Sequence, residues 1–467
     1  MSLARSYATV GTATLASRLS GFVRDVMIAA VLGSSAVADA YIAAFLLPNL
    51  FRRVLSEGAF NAAFVPIYAR RRAERGEGSV RVFTESAFSC LVGLVVAALI
   101  LVEIAMPSII AGIAPGFVGH PGKFADAVAF ARIAFVFVGA IVVTAFLASV
   151  LNAVGRYALV AFAPLILNAV LIAVLAALLV LGWRETRPAG LALVVAVLGA
   201  GLVQLLVVWR GQRRAGLGLG LRRPVVDRDV RNLMVLILPG LLVAGAGHFN
   251  MVVAAQMSSS LPAAVSWLYY ADRIFQLPLG FVAAAIGTVL LPEVARALSV
   301  DDAPAARDAG NRALEFGMML VLPAALALAL LAEPIVDVIY RRGAFTAQDS
   351  RATAEVLRAI ALGLPGFVLV KVLLPPYLAR EKMRIPMAAS LAGIAANIAV
   401  TAALLPRWGH VAAPLGVAVS AWVNALVLYA GLAAYGGFAP DARARARLPR
   451  IGLAAAGATL AAGVLLH

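Results

Sequence analysis

Residues 158–182 read ALVAFAPLILNAVLIAVLAALLVLG, 25 positions without a charge. As a helix rising 1.5 Å per residue, this run is about 37 Å long, enough to cross a hydrocarbon core of roughly 30 Å. It is too long for a strand and does not alternate apolar with polar positions. Working outward, similar runs recur to give thirteen predicted spans: 6–32, 37–69, 82–113, 124–154, 158–182, 188–209, 232–256, 263–295, 313–339, 352–379, 385–405, 411–435 and 448–466. Pro48, Pro278, Gly280 and Pro365 lie inside spans and predict kinks that neighbouring helices accommodate. Residues 1–20 resemble a signal peptide, but the run continues past Arg18 to Gly33 and reads as a first span.

Composition agrees with a chain that meets lipid. Of 467 residues, 63% are hydrophobic and 13% charged, with mean hydropathy +0.96, where a soluble domain has about 25% charged residues. The net charge of +16 would suggest nucleic acid in a soluble protein. Here the basic residues occupy short links between apolar runs, so nucleic acid is not expected as a partner. Alternate links carry 24 Lys and Arg on one side and 6 on the other, which places the N-terminus in the cytoplasm and His467 outside. The charged segment 296–312 reads as an interfacial helix on the cytoplasmic side. Cys90 is the single cysteine and cannot form an intramolecular disulfide; four histidines lie scattered without ligand spacing. Gly216, Gly218 and Gly220 lack the ending of a phosphate-binding loop, and no nucleophile constellation stands out. A transporter without a cofactor is expected, not an enzyme.

A repeat is legible. Pro66 to Arg70 and Pro292 to Arg296 both read Pro-x-x-Ala-Arg, displaced by 226 residues; Arg156 and Asn168 recur as Arg384 and Asn397, displaced by 228 and 229. Each half then holds six helices in the same orientation. The predicted fold is an all-α integral membrane protein with two pseudo-symmetric six-helix lobes around a central cationic cavity, plus a C-terminal helix. Its divisions are a lobe at 1–213, a basic cytoplasmic linker at 214–231, a lobe at 232–436, and a link with the thirteenth helix at 437–467.

Nine basic residues fall inside spans or near their ends: Arg18, Arg24, Arg52, Arg53, Arg132, Arg273, Arg351, Arg358 and Lys371. Arg351 and Arg358 sit in a first turn and snorkel. From the outer end, Arg24 lies about 12 Å deep, Arg273 about 15 Å, Arg18 about 21 Å and Arg52 about 22 Å. An arginine facing lipid at that depth costs roughly 2.5–3.5 kcal/mol on insertion scales. One reading is internal pairing: Arg24 or Arg273 with Asp25 or Asp272, Arg53 with Glu57 four residues on, and Asp39 against the dipole of its own helix. The other is a cavity of surplus cations that binds an anion, for which the planar guanidinium fork suits phosphate oxygens. Ser17 shares a helix face with Arg24, as Arg18 does with Asp25. Asn250, Asn397 and Thr401 read either as oxygen ligands for sodium or as interhelical hydrogen bonds.

The stretch Ser17-Arg18-Leu19-Ser20-Gly21-Phe22-Val23-Arg24-Asp25 resembles the lipid II flippases, the MurJ or MviN family of the multidrug/oligosaccharidyl-lipid/polysaccharide exporter superfamily. The likeness continues through Asp39-Ala40-Tyr41, Leu47 to Arg53 with Asn49, Glu57 to Phe60, Tyr269 to Arg273, and Gly287 to Pro292. It implies two lobes whose cavity opens alternately to the two sides. The implied cargo is the undecaprenyl-pyrophosphate-linked peptidoglycan precursor, moved from the inner to the outer leaflet of the bacterial cytoplasmic membrane. It also implies that Arg18, Arg24, Arg52, Arg273 and Asp39 are required, with Asp25 and Glu57 as further cavity positions. Membrane lipids and cell-wall synthesis enzymes are the other implied partners. Family members usually have a fourteenth helix, and some carry an acidic sodium ligand on helix seven where this chain has Asn250. A flippase of another polyprenyl-diphosphate oligosaccharide, a cation/drug antiporter of the same superfamily, and a scaffold for wall-synthesis enzymes are the alternatives.

Overall fold

The computed structural model describes residues 3–56, 59–223, 225–233, 235, 249–299, 302–380, 382–434 and 438–465. All regular structure among them is helical. The chain divides into two compact units, Met1–His248 and Phe249–His467. Eight helical segments among the described residues are long and apolar enough to cross a membrane.

Unit 1 contains α1 (Leu3–Leu32), α2 (Ala36–Ser56), α3 (Ala59–Ile113), α4 (Pro121–Ala153), α5 (Ala158–Val180) and α6 (Arg187–Arg214). Helix α4 packs on α2, α3 and α6, while α1 lies along α5. Gly76, at φ 73°, breaks α3 inside the arginine-rich link between the second and third predicted spans. That left-handed conformation is one that glycine adopts without strain. Around the break, Phe64 stacks on Phe83 at 5.8 Å and meets Phe146 edge-on at 5.2 Å.

Unit 2 contains α7 (Phe249–Ser258), α8 (Ala264–Ser299), α9 (Ala303–Leu330), α10 (Ala332–Tyr340), α11 (Ala347–Ala361), α12 (Leu364–Leu373), α13 (Pro375–Ala379), α14 (Arg384–Trp408), α15 (Ala412–Ala434) and α16 (Ala442–Leu465). Its packing follows the scheme of unit 1: α7 lies on α14 as α1 does on α5, α8 on α11 and α12 as α2 does on α4, and α14 on α15 as α5 does on α6. The tenth predicted span is thus three helices. Trp422 Nε1 donates to the Leu362 carbonyl at 2.9 Å, re-satisfying a group freed where α11 ends.

One expectation is corrected. Segment 296–312 is not a separate interfacial helix: α8 runs to Ser299 and α9 begins at Ala303, its end capped by Asp302 Oδ1 on the Ala305 N–H. The link 214–231 is tied to unit 1. The Arg222 N–H donates to Ser89 Oγ at 3.1 Å and the Val225 N–H to Ser86 Oγ at 3.2 Å. Arg71 pairs with Asp227 at 2.5 Å and Asp229 at 3.1 Å. The thirteenth span, α16, packs on α9. There the buried Glu315 carboxylate accepts from Arg312 Nη1 at 2.7 Å and Arg447 Nη1 at 2.9 Å. Of the seventh predicted span, residues 236–248 lie outside the described residues.

Burial pushes the Asp227 carboxyl up, but hydrogen bonds from the Val230 N–H and from Arg71, with the Arg71 charge, outweigh it and leave the group below the usual carboxylate range. A lowered native pKa stabilises above the unfolded value, about 3.9, and that contribution is lost as pH falls through the native value. Hydrogen exchange should therefore find amides 225–231 protected at neutral pH and progressively exposed below about pH 4. Protection unchanged at acid pH would contradict the Arg71–Asp227 tie.

Candidate substrate site

The site of unit 1 is built on α1 and α5. Arg24 is drawn back along its own helix: Nε and Nη2 donate to Asp25 Oδ1 at 3.0 and 2.6 Å. Its Nη1 reaches across to Asn168 Oδ1 on α5 at 2.9 Å. The Asn168 amide then donates to the Ser17 carbonyl and to Ser20 Oγ, each at 2.9 Å. Gly21 faces this contact, and a Cβ there would lie 3.6 Å from Asn168 Nδ2, in ordinary van der Waals contact. Ser17 and Arg24 both meet Asn168, and Arg24 takes the internal pairing with Asp25. Arg18 is exposed.

On α2, Arg52 is half-buried and its Nη2 lies 3.4 Å from Asn49 Oδ1 one turn earlier. Asp39 in the first turn of α2 is fully buried, and its Oδ2 accepts from Lys123 Nζ at 2.5 Å. That ammonium also lies 4.1 Å from the Phe117 ring centroid. Asp39 is therefore committed to a cation in the first turn of α4, beyond the dipole of its own helix. Glu57 lies outside the described residues, as does the Arg53 side chain.

In unit 2, the Arg273 guanidinium sits over the Tyr269 ring, 4.4 Å from its centroid, one turn back on α8. Its neighbour Asp272 is buried and accepts from Gln276 Nε2. The sodium candidates meet as well: Asn397 Nδ2 donates to the Asn250 carbonyl at 3.0 Å and lies 3.3 Å from Asn250 Oδ1, and Thr401 Oγ1 donates to Asn397 Oδ1 at 3.1 Å. The Asn250 oxygens accept from the neighbouring helix, the Thr401–Asn397 bond lies within α14, and Gly416 closes over them. A Cβ at 416 would meet Thr401 Oγ1 and lie 2.5 Å from Asn397 Oδ1 and 2.8 Å from the Asn397 carbonyl. Gly416→Ala should therefore cost about 2 kcal/mol through overpacking, read as a lowered Tm in detergent. An unchanged Tm would contradict this close approach. Among the described residues, no group of three His, Cys, Asp or Glu is placed to hold a metal.

Sequence reasoning missed two partners. Asn168 served only to align the repeat, although a polar group within an apolar run is itself a functional signal. Lys123 was counted among the link residues; nothing local connects it to Asp39, 84 residues away.

The family model described as "Lipid II flippase MurJ" matches residues 28–466. The "Probable lipid II flippase MurJ" of Rhizobium meliloti (strain 1021) is 42% identical over 460 residues, covering 98% of this chain and 85% of that protein. The chain belongs to the MurJ lipid II flippase family. The MurJ of Burkholderia cenocepacia is 31% identical over 447 residues, covering 94% of this chain and 86% of its own length. The fold agrees with a solved structure described as "Lipid II flippase MurJ, inward closed conformation", at TM-score 0.79 and 22% identity, covering 97% of this chain and 91% of that one. An inward-facing multidrug resistance MATE family transporter of the MOP superfamily follows at TM-score 0.71 and 14% identity, covering 93% of this chain and 95% of that one. MurJ membership and the eight span-like helices make this a multi-pass membrane protein.

Proposed function

We propose that this chain moves lipid II from the inner to the outer leaflet of the bacterial cytoplasmic membrane by alternating access, with its N-terminus in the cytoplasm. Membership of the MurJ family across almost the whole chain carries this reading. The diphosphate is bound by Arg18, Arg24, Arg52 and Arg273, with Ser17, Asn49 and Asp272 beside them; Asp25, Asp39 and Glu57 complete the polar set. The charge favours a diphosphate: a planar fork donates two parallel hydrogen bonds to phosphate oxygens.

The arrangement around Arg24 suggests how its charge is held in reserve. Asp25 and Asn168 occupy its three donor nitrogens. A phosphate oxygen replacing Asn168 Oδ1 on Nη1 exchanges a neutral acceptor for a charged one without leaving the guanidinium bare. Bound anion then biases the alternating equilibrium only through its different affinity for the two states. The polyprenyl tail stays in lipid. Basic links on the cytoplasmic side offer a surface to cell-wall synthesis enzymes.

The test is reconstitution into vesicles with lipid-linked precursors that differ in headgroup. Lipid II should cross faster than a polyprenyl diphosphate bearing an unrelated oligosaccharide. Crossing no faster than in protein-free vesicles would overturn the reading.

A further inference from the structure

An ion pair between α3 and α4 lies outside both the arginine site and the links. Glu103 on α3 faces Arg132 on α4, with Oε2 and Nε 3.7 Å apart. The two helices are packed tightly just below: a Cβ on Gly139 of α4 would lie 2.8 Å from Leu99 Cδ1. By helix rise, Glu103 lies about 15 Å from Ile113 and about 27 Å from Glu85, and Arg132 about 17 Å from Pro121. Both are near the middle of a roughly 30 Å core. Around them Ile100, Leu101, Ile104 and Val136 are 56, 68, 74 and 41% exposed. Within this apolar surface the Arg132 side chain is 51% exposed and that of Glu103 33%.

A pair kept for stability alone would be built differently. The separation exceeds the 2.7–3.2 Å of an N–H···O hydrogen bond. Glu103 Oε1 is occluded and has no hydrogen bond among the described residues. A shielded ion pair without supporting hydrogen bonds is commonly bettered by apolar residues of the same volume. A charge facing hydrocarbon is costly and marks a function. The depth also places both groups too far from a lipid headgroup for snorkelling to reach.

We propose that this notch receives a transmembrane helix of another protein through a mid-span Asn or Gln carboxamide. The pair is already neutral, so a charged partner would bring an uncompensated charge into the membrane, whereas a carboxamide oxygen accepts from Arg132 at no such cost. The apolar ridge of Ile100, Leu101 and Ile104 packs against the remainder of that helix. The site is independent of lipid II binding and requires only that α3 and α4 span the membrane.

The full chain carrying a photo-reactive phenylalanine analogue at Leu101 or Ile104 is irradiated in its native membrane and the adduct mapped. The expected product is a membrane protein joined within about one turn of a mid-span Asn or Gln. The double variant Glu103→Leu, Arg132→Leu should lower its yield about tenfold, the weight of strong interhelical hydrogen bonds, while flipping and abundance are unchanged. Replacing the mapped carboxamide by Leu in the partner should do the same with this chain untouched, which covers a double variant that fails to fold. Adducts to lipid alone, to a second copy or within one chain overturn the proposal, as does a yield that survives the partner substitution.

Discussion

Arg273→Ala should abolish support of growth in cells that depend on this flippase, while the folded protein remains in the membrane at its normal amount. The Arg273 guanidinium rests on the Tyr269 ring one turn away, a contact that holds the fork against α8. Loss of a charge-assisted hydrogen bond costs about 1.5–3 kcal/mol, which weakens diphosphate binding roughly 10- to 150-fold. Folding should survive, because the side chain is only half-buried and its removal leaves an aromatic ring packed on α8. Arg273→Lys keeps the charge but not the planar pair of donors and should retain only part of the activity. Full complementation by Arg273→Ala would remove this arginine from the diphosphate site.

The second large effect concerns Asp39, through stability as well as activity. Its side chain is 0% exposed and Lys123 beside it 10%. Asp39→Ala leaves an ammonium shielded from water, with the Phe117 ring as its remaining contact among the described residues. Breaking such a pair from one side costs about 3–5 kcal/mol, a large share of a total near 5–15 kcal/mol. The variant should accumulate poorly in the membrane, and Lys123→Met on the same background should restore accumulation. Transport then separates the two roles of Asp39. If the rescued double variant flips lipid II, Asp39 acts through Lys123; if it folds and is inert, Asp39 meets the cargo. Normal accumulation of Asp39→Ala alone would show that the pair carries no such weight.

What the sequence made legible follows from the range of each interaction. Spans are visible because membrane crossing imposes about 20 apolar residues in a row, and nine of the thirteen runs lie along a single described helix. Breaks inside those runs are visible only in part: Pro365 marks the break between Ala361 and Leu364, whereas the break at Leu330, followed by Glu333 and Pro334, carries no predicted kink. Arg24 with Asp25 could be read from adjacency, as could Arg52 with Asn49. Arg24 with Asn168, 144 residues apart, could not. The same holds for the link, where Asp227 looks like a solvated charge until Arg71 is seen beneath it.

Asn168 and Asn397 each fasten the fifth helix of their half to the first, the former through the Ser17 carbonyl and Ser20 Oγ, the latter through Asn250. In hydrocarbon no water stands ready to replace a broken stitch. Lengthwise slippage of α1 on α5, or of α7 on α14, would therefore have to sever several bonds at once with nothing to take their place. Each such couple travels as a single plank, and whatever flexing the transport cycle demands must be absorbed at helix breaks such as Gly76.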